Sequence, residues 1–213
     1  MELTKYDIYR IKDQNRDLIS ICKKILSELH AENYDISDPE DVISIMLDIV
    51  THSGLECDFG LCIIAAYVYN ISIIEGMRRE DHNYCWIPEE EMRRLRYNTS
   101  YINVIEDCVK NFGIHGSPQT VEACLLRDAD KLAWLSPKRW DRYLAMKKHP
   151  SSILKRLEFL RNDILHFDQS KVIYDRMVIQ VLAIVMQRIK KSNREQSMLN
   201  TIDKSIILDK RDK

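Results

Sequence analysis

Apolar residues recur along this chain at the three- and four-residue spacing of amphipathic helices, and nowhere alternate for long enough to make a strand. Residues 4–31 carry Ile8, Ile11, Leu18, Ile19, Cys22, Ile25, Leu26 and Leu29 on one stripe, which predicts a single long helix. In "YDISDPEDV" (34–42), Ser37 or Asp38 can cap a second helix with Pro39 in its first turn; that helix runs to about His52-Ser53-Gly54. Residues 57–74 are apolar on every face, the mark of a central helix surrounded by others, yet "IIAAYVYNIS" (63–72) carries the polar pair Tyr69-Asn70. Further helices are predicted over about 88–97, 100–112, 118–135, 151–165 and 168–191, with "GIHGSP" (113–118) as a break. In "SPKRW" (136–140), Ser136 and Pro137 suit a helix start. The fold class is all-α: one helical domain over 1–192, with 1–31 packed on it, and a charged tail over 193–213.

Composition narrows this picture. With 45% hydrophobic residues the 213-residue chain can bury a real core, and only five Gly and five Pro interrupt it. Charged residues reach 31%, but the net charge of −1 argues against a general nucleic-acid binder. No run reaches the roughly 18–20 apolar residues of a membrane helix, and "MELTKYDIYRIKDQ" lacks the apolar stretch of a signal peptide. The six cysteines (Cys22, Cys57, Cys62, Cys85, Cys108, Cys124) form no CxxC pair and read as reduced core residues of a cytoplasmic protein.

Four stretches in order carry a family resemblance. "YDISDPEDVI" (34–43) looks like a YHN-x-x-H-x-x-x-V opening, and "IIAAYVYNIS" looks like an AALLHDIG helix. "YINVIEDCVKN" (101–111) resembles a helix that often ends in His, and "PQTVEACLLRDADKLAWL" (118–135) an E-x-x-I-x-D-A-D-x-L helix. The closing "RLEFLRNDILHFDQSKVIYDRMVIQVLAIVMQRI" (156–189) resembles the last two helices of one bacterial branch. Together these stretches, about 30 to 190, resemble the HD-domain superfamily of metal-dependent phosphohydrolases. The resemblance implies a helical bundle in which His and Asp ligands from separate helices hold divalent ions, and the metal activates water against a phosphate ester.

The departures from that pattern are as informative as the matches. The family's first metal His falls on Pro39, the His and Asp of its central pair on Tyr69 and Asn70, and its additional His on Asn111. Only the last motif survives, as Asp128-Ala129-Asp130, with Asp130 favoured as the ligand position and Asp128 the alternative. Pro offers no side-chain donor, Tyr ligates poorly unless deprotonated, and Asn offers a neutral amide oxygen. The expectation is therefore a metal-free polar cluster of Tyr69, Asn70 and Asp130. A surface ion pair of Asp128 with Arg127 or Lys131 is the bland reading of the other carboxylate.

Two functions follow. One is a catalytically inactive HD-like binding or regulatory module, with a nucleotide or other phosphorylated small molecule as its ligand and no cofactor. The alternative is an active phosphohydrolase using Mn, Mg or Ni on relocated ligands drawn from Asp35, Asp38, His52, His82 and Asp130. Lys131 and Arg139 are candidate ligand contacts, and "DHNYCW" (81–86) a candidate cavity lining. The basic stretch "PKRWDRYLAMKKHP" (137–150), with Trp140 and Tyr143 interleaved, reads chiefly as a solvated face. Core packing accounts for most of the wide apolar stripe of 168–191, and a homodimer interface is the expected use of the surplus.

Overall fold

In a computed structural model describing residues 5–29, 37–79, 88–113, 115–136 and 150–187, the chain is all helix and turn, with no strand among those residues. Among the described residues, nine α-helices follow in order. These are α1 (Lys5–Gln14), α2 (Arg16–Glu28), α3 (Pro39–Ser53), α4 (Phe59–Arg79), α5 (Pro88–Arg94), α6 (Thr99–Asn111), α7 (Val121–Ala133), α8 (Pro150–Phe159) and α9 (168–187). Asp35, His82, Arg139, the "DHNYCW" stretch and the 193–213 tail lie outside the described residues.

The predicted central helix is α4. Ile63, Ile64, Ile71 and Ile74 are fully buried in it, each burial worth about 1.5–3 kcal/mol. It is wrapped by α2, α3, α6 and α7. It does not stop near Tyr69-Asn70 or at 74: it begins at Phe59 and runs to Arg79, so the polar pair sits inside the helix and within the core.

The first predicted helix is two. Asn15, at φ −107° and ψ 17°, breaks the stripe between α1 and α2. Its side-chain amide donates to the Ile11 carbonyl at 2.8 Å, while its Oδ1 accepts from Tyr97 Oη at 2.7 Å. An Asn side chain that competes for helix carbonyls bends the helix where a tertiary partner rewards it.

The caps explain where the site-bearing helices begin. Asp38 caps α3 by accepting from the Glu40 N–H at 2.8 Å, with Pro39 as first helical residue. The helix ends at Gly54, whose φ of 65° is the left-handed terminator that glycine adopts without strain. Helix α7 starts later than 118 because Thr120 is its cap, its Oγ1 accepting from the Ala123 N–H at 3.2 Å. Asp107 of α6 holds that cap in place, accepting from the Thr120 N–H and hydroxyl, both at 2.8 Å, and from the Gln119 N–H at 3.0 Å.

The predicted 151–165 helix also divides. After α8 the backbone widens into a π-turn over Leu160–Ile164, closed by Leu165 N–H to the Leu160 carbonyl at 3.2 Å, and then becomes extended at Leu165.

Candidate functional site

Three helices bring the aligned positions together. Asp130, near the end of α7, is half-buried against α4 and the residue before the α3 cap. Its Oδ1 accepts from Ser37 Oγ at 2.8 Å and from the Tyr69 phenol at 3.1 Å. Its Oδ2 accepts from Lys131 Nζ at 2.7 Å, in an ion pair whose side chains are 14% and 13% exposed. Asn70, fully buried, donates its amide to the Ser37 carbonyl at 2.7 Å. Its Oδ1 has no hydrogen-bond partner among the described residues.

So Ser37, Tyr69, Asn70 and Asp130 form one hydrogen-bonded unit, with Asn70 reaching Asp130 through Ser37 rather than directly. Phe112, just past α6, packs edge-on against the Tyr69 ring, centroids 5.5 Å apart, and takes the Lys131 ammonium 5.5 Å from its ring centre. Asn111 points elsewhere: it donates to Asp107 at 2.7 Å and accepts from the Ser117 N–H at 3.1 Å, tying down the turn after α6. Pro39 and Asp38 lie beside the cluster but serve the start of α3. His52 lies at the far end of α3, roughly 20 Å along its axis. There its ring bonds the Asp48 carbonyl at 2.8 Å, so it does not join Asp130.

Asp128 departs from the bland sequence reading of a surface ion pair, while Asp130 is half-buried as that reading has it. Lys131 pairs with Asp130, not with Asp128. Asp128 is wholly buried and accepts from the His166 N–H at 3.0 Å on both oxygens and from the Phe167 N–H at 3.1 Å. The His166 ring nitrogen lies 3.3 Å away as well. Its task is to gather the backbone that leaves the π-turn and enters α9. Extended residues cannot satisfy those amides locally, so a buried carboxylate does it.

Sequence reasoning missed Ser37 as a member of the cluster, weighing it only as a cap. It also missed Asp107 and His166. No spacing rule marks them, since each partner is distant in the chain; Ser37 and Asp130 are 93 residues apart. Above the cluster, Tyr67 of α4 donates to Glu40, which also receives Lys12. Burial raises the Glu40 carboxyl, but the bonds from Lys12 and Tyr67 and the charges of Lys12 and Lys23 outweigh it and hold the group below its ordinary range.

Among the described residues, no three His, Cys, Asp or Glu side chains converge as a metal site would require, and no helix is long and apolar enough to cross a membrane. The 137–149 part of the basic stretch lies outside the described residues, and two arginines that follow it are engaged within the chain. Arg161 makes a two-pronged bond to Asp175 at 2.6 and 2.8 Å, and Arg156 stacks 4.9 Å from the Trp134 ring centre.

The described helices make an all-α bundle around α4. The chain is similar to a crystal structure described as a predicted HD superfamily hydrolase from an uncultured Thermotogales bacterium, with a TM-score of 0.60 at 14% identity over 83% of this chain and 91% of that one. The chain thus has the HD-domain fold expected from its motifs. No protein-family model and no curated protein matches the sequence.

Proposed function

We propose that this protein is a non-catalytic HD-fold module in which the metal centre has become a metal-free hydrogen-bonded latch, and that it serves as a binding or regulatory domain. The observation that carries this reading is the engagement of Asp130 by two hydroxyls and one ammonium from its own chain. Those donors suit a carboxylate and do not suit a divalent cation. A neutral phenol and an ammonium are poor ligands, and Lys131 already supplies the positive charge that a metal would bring. Asn70 supports the same reading. Its amide is turned to a backbone carbonyl, a contact a carboxylate at that position would not make.

The ligand class is a nucleotide or other phosphorylated small molecule. Lys131, 14% exposed and with ammonium protons beyond the one given to Asp130, is the group of the cluster that supplies charge to such a ligand. The competing hydrolase reading draws on Asp35 and His82, outside the described residues, and on Asp38 and His52, which are occupied as a cap and at the far end of α3. Thermal-shift titration with nucleoside mono-, di- and triphosphates, run beside phosphate-release assays in Mn and Ni, tests the reading. Stabilisation without phosphate release agrees with it; turnover contradicts it.

A homodimer through α9 belongs to the same proposal. Val172, Ile179 and Met186 stand one heptad apart on its outer face and are 52%, 67% and 61% exposed. Apolar residues at that spacing suit packing against a second copy of the same helix.

A further inference from the structure

We infer that Cys57 and Cys62, at the start of α4, are a redox-modification site: a dithiol that hydroperoxides convert to an intramolecular disulfide. The inference is independent of the latch at Asp130. It begins with capping geometry. Asp58 is the residue before α4, and its Oδ1 accepts from the Leu61 N–H at 3.2 Å. Cys57 therefore holds the position just outside the cap and Cys62 the fourth helical position. Side chains at these two positions turn toward each other across the first turn, usually as an apolar staple. Here both are thiols, and neither is in a disulfide in the structure.

The two sulfurs differ in the way such a pair needs. Cys57 is half-buried and lines a cleft of about 620 Å³ between α1, the α3–α4 turn and Tyr101 of α6. Cys62 is fully buried beneath it. The neighbouring Cys62 thiol holds the Cys57 thiol below its ordinary pKa, outweighing burial and the Glu122 and Asp58 carboxylates. The same interaction, and then burial, push Cys62 well above. The start of α4 adds its positive dipole end beside Cys57. Cys57 is thus the accessible and more acidic thiol, and Cys62 the buried resolving one.

The step balances in two stages. The Cys57 thiolate attacks one peroxide oxygen, the O–O bond breaks, and hydroxide leaves to be protonated as water, giving the sulfenic acid. The Cys62 sulfur then attacks the Cys57 sulfur, forming the S–S bond and releasing a second water with the thiol proton. Peroxide is reduced and the two sulfurs share the oxidation. The bond would fix the turn carrying Asp58, whose Oδ2 accepts from Tyr101 Oη at 2.8 Å and whose N–H donates to Glu122 at 2.9 Å in the wall of the cleft.

The test uses the full chain treated with hydrogen peroxide, alkylated with a maleimide and cut before aspartates, which separates Cys57 from Cys62 at Asp58. The expected result is loss of maleimide at both positions together and one linked fragment pair that dithiothreitol releases. In Cys62→Ala, dimedone should trap Cys57 as sulfenic acid; in Cys57→Ser, Cys62 should stay fully alkylatable under denaturing conditions. Independent alkylation of both cysteines after peroxide, or oxidation of Cys62 in Cys57→Ser, would overturn the assignment.

Discussion

The phenol of Tyr69 donates to Asp130 at 3.1 Å, joining the middle of the central helix to the end of α7 at positions where the related pattern has a metal-binding His and Asp. Because Ser37 and Lys131 still serve the carboxylate, Tyr69→Phe should cost only about 1 kcal/mol. Asn70→Asp should cost more, at least ~2 kcal/mol at neutral pH, because it places a buried carboxylate against the Ser37 carbonyl. Urea unfolding of both variants checks the order. If Asn70→Asp were the milder change, Asn70 would not be the neutral member of the latch.

The two aspartates of the DAD motif should separate by stability. Asp128→Asn sets an amide against the N–H groups of His166 and Phe167 and should cost roughly 3 kcal/mol, a fall in Tm on the order of 10 °C. Asp130→Asn, which keeps an amide oxygen for Ser37 and Tyr69 and loses the charge facing Lys131, should cost less, about 1.5 kcal/mol. Calorimetry of the pair decides; equal losses would mean that both carboxylates are structural clamps.

Alkaline stability follows from two tyrosines. Burial first, then the accepting carboxylates Glu40 and Asp58, raise Tyr67 and Tyr101 above the ordinary value of 10.0. The folded chain holds these protons more tightly than the unfolded one. Their contribution is complete below about pH 10 and is lost as pH rises from there toward the folded values. Denaturant midpoints should begin to fall near pH 9, where unfolded cysteines ionise while the buried Cys22, Cys62 and Cys108 thiols hold their protons, and fall more steeply beyond 10, in step with tyrosinate absorbance. Normal titration of both phenols in a chain that stays folded would contradict the burial of these groups.

Substitution of Ile179 by Glu on the outer face of α9 should shift sedimentation from dimer to monomer without changing helix content, since the side chain is 67% exposed. A wild-type chain sedimenting as a monomer at micromolar concentration would remove the dimer from the account.

The sequence made the helices and their order legible because 3.6-residue periodicity reports one buried face, and α4 stood out by having no polar face. It overran at Asn15, where the break depends on Tyr97, 82 residues away. It also missed the π-turn, which is held through Asp128 from another helix. Tyr69, Asn70 and Asp130 could be picked out together because motif order ties them to one place. Ser37, which connects them, could not, since a serine before Asp-Pro reads equally well as a cap. Lys131 was legible as a nearby charge, but its choice between Asp128 and Asp130 depended on which carboxylate the extended 165–167 backbone needed.

The central claim is that a hydrogen-bonded latch stands where HD hydrolases hold metal. The most direct measurement is metal content by mass spectrometry, after incubation of the purified full chain with Mn and Ni and desalting. The account predicts near-zero retained ion. One tightly held ion per chain would contradict it and point to ligands outside the Asp130 cluster.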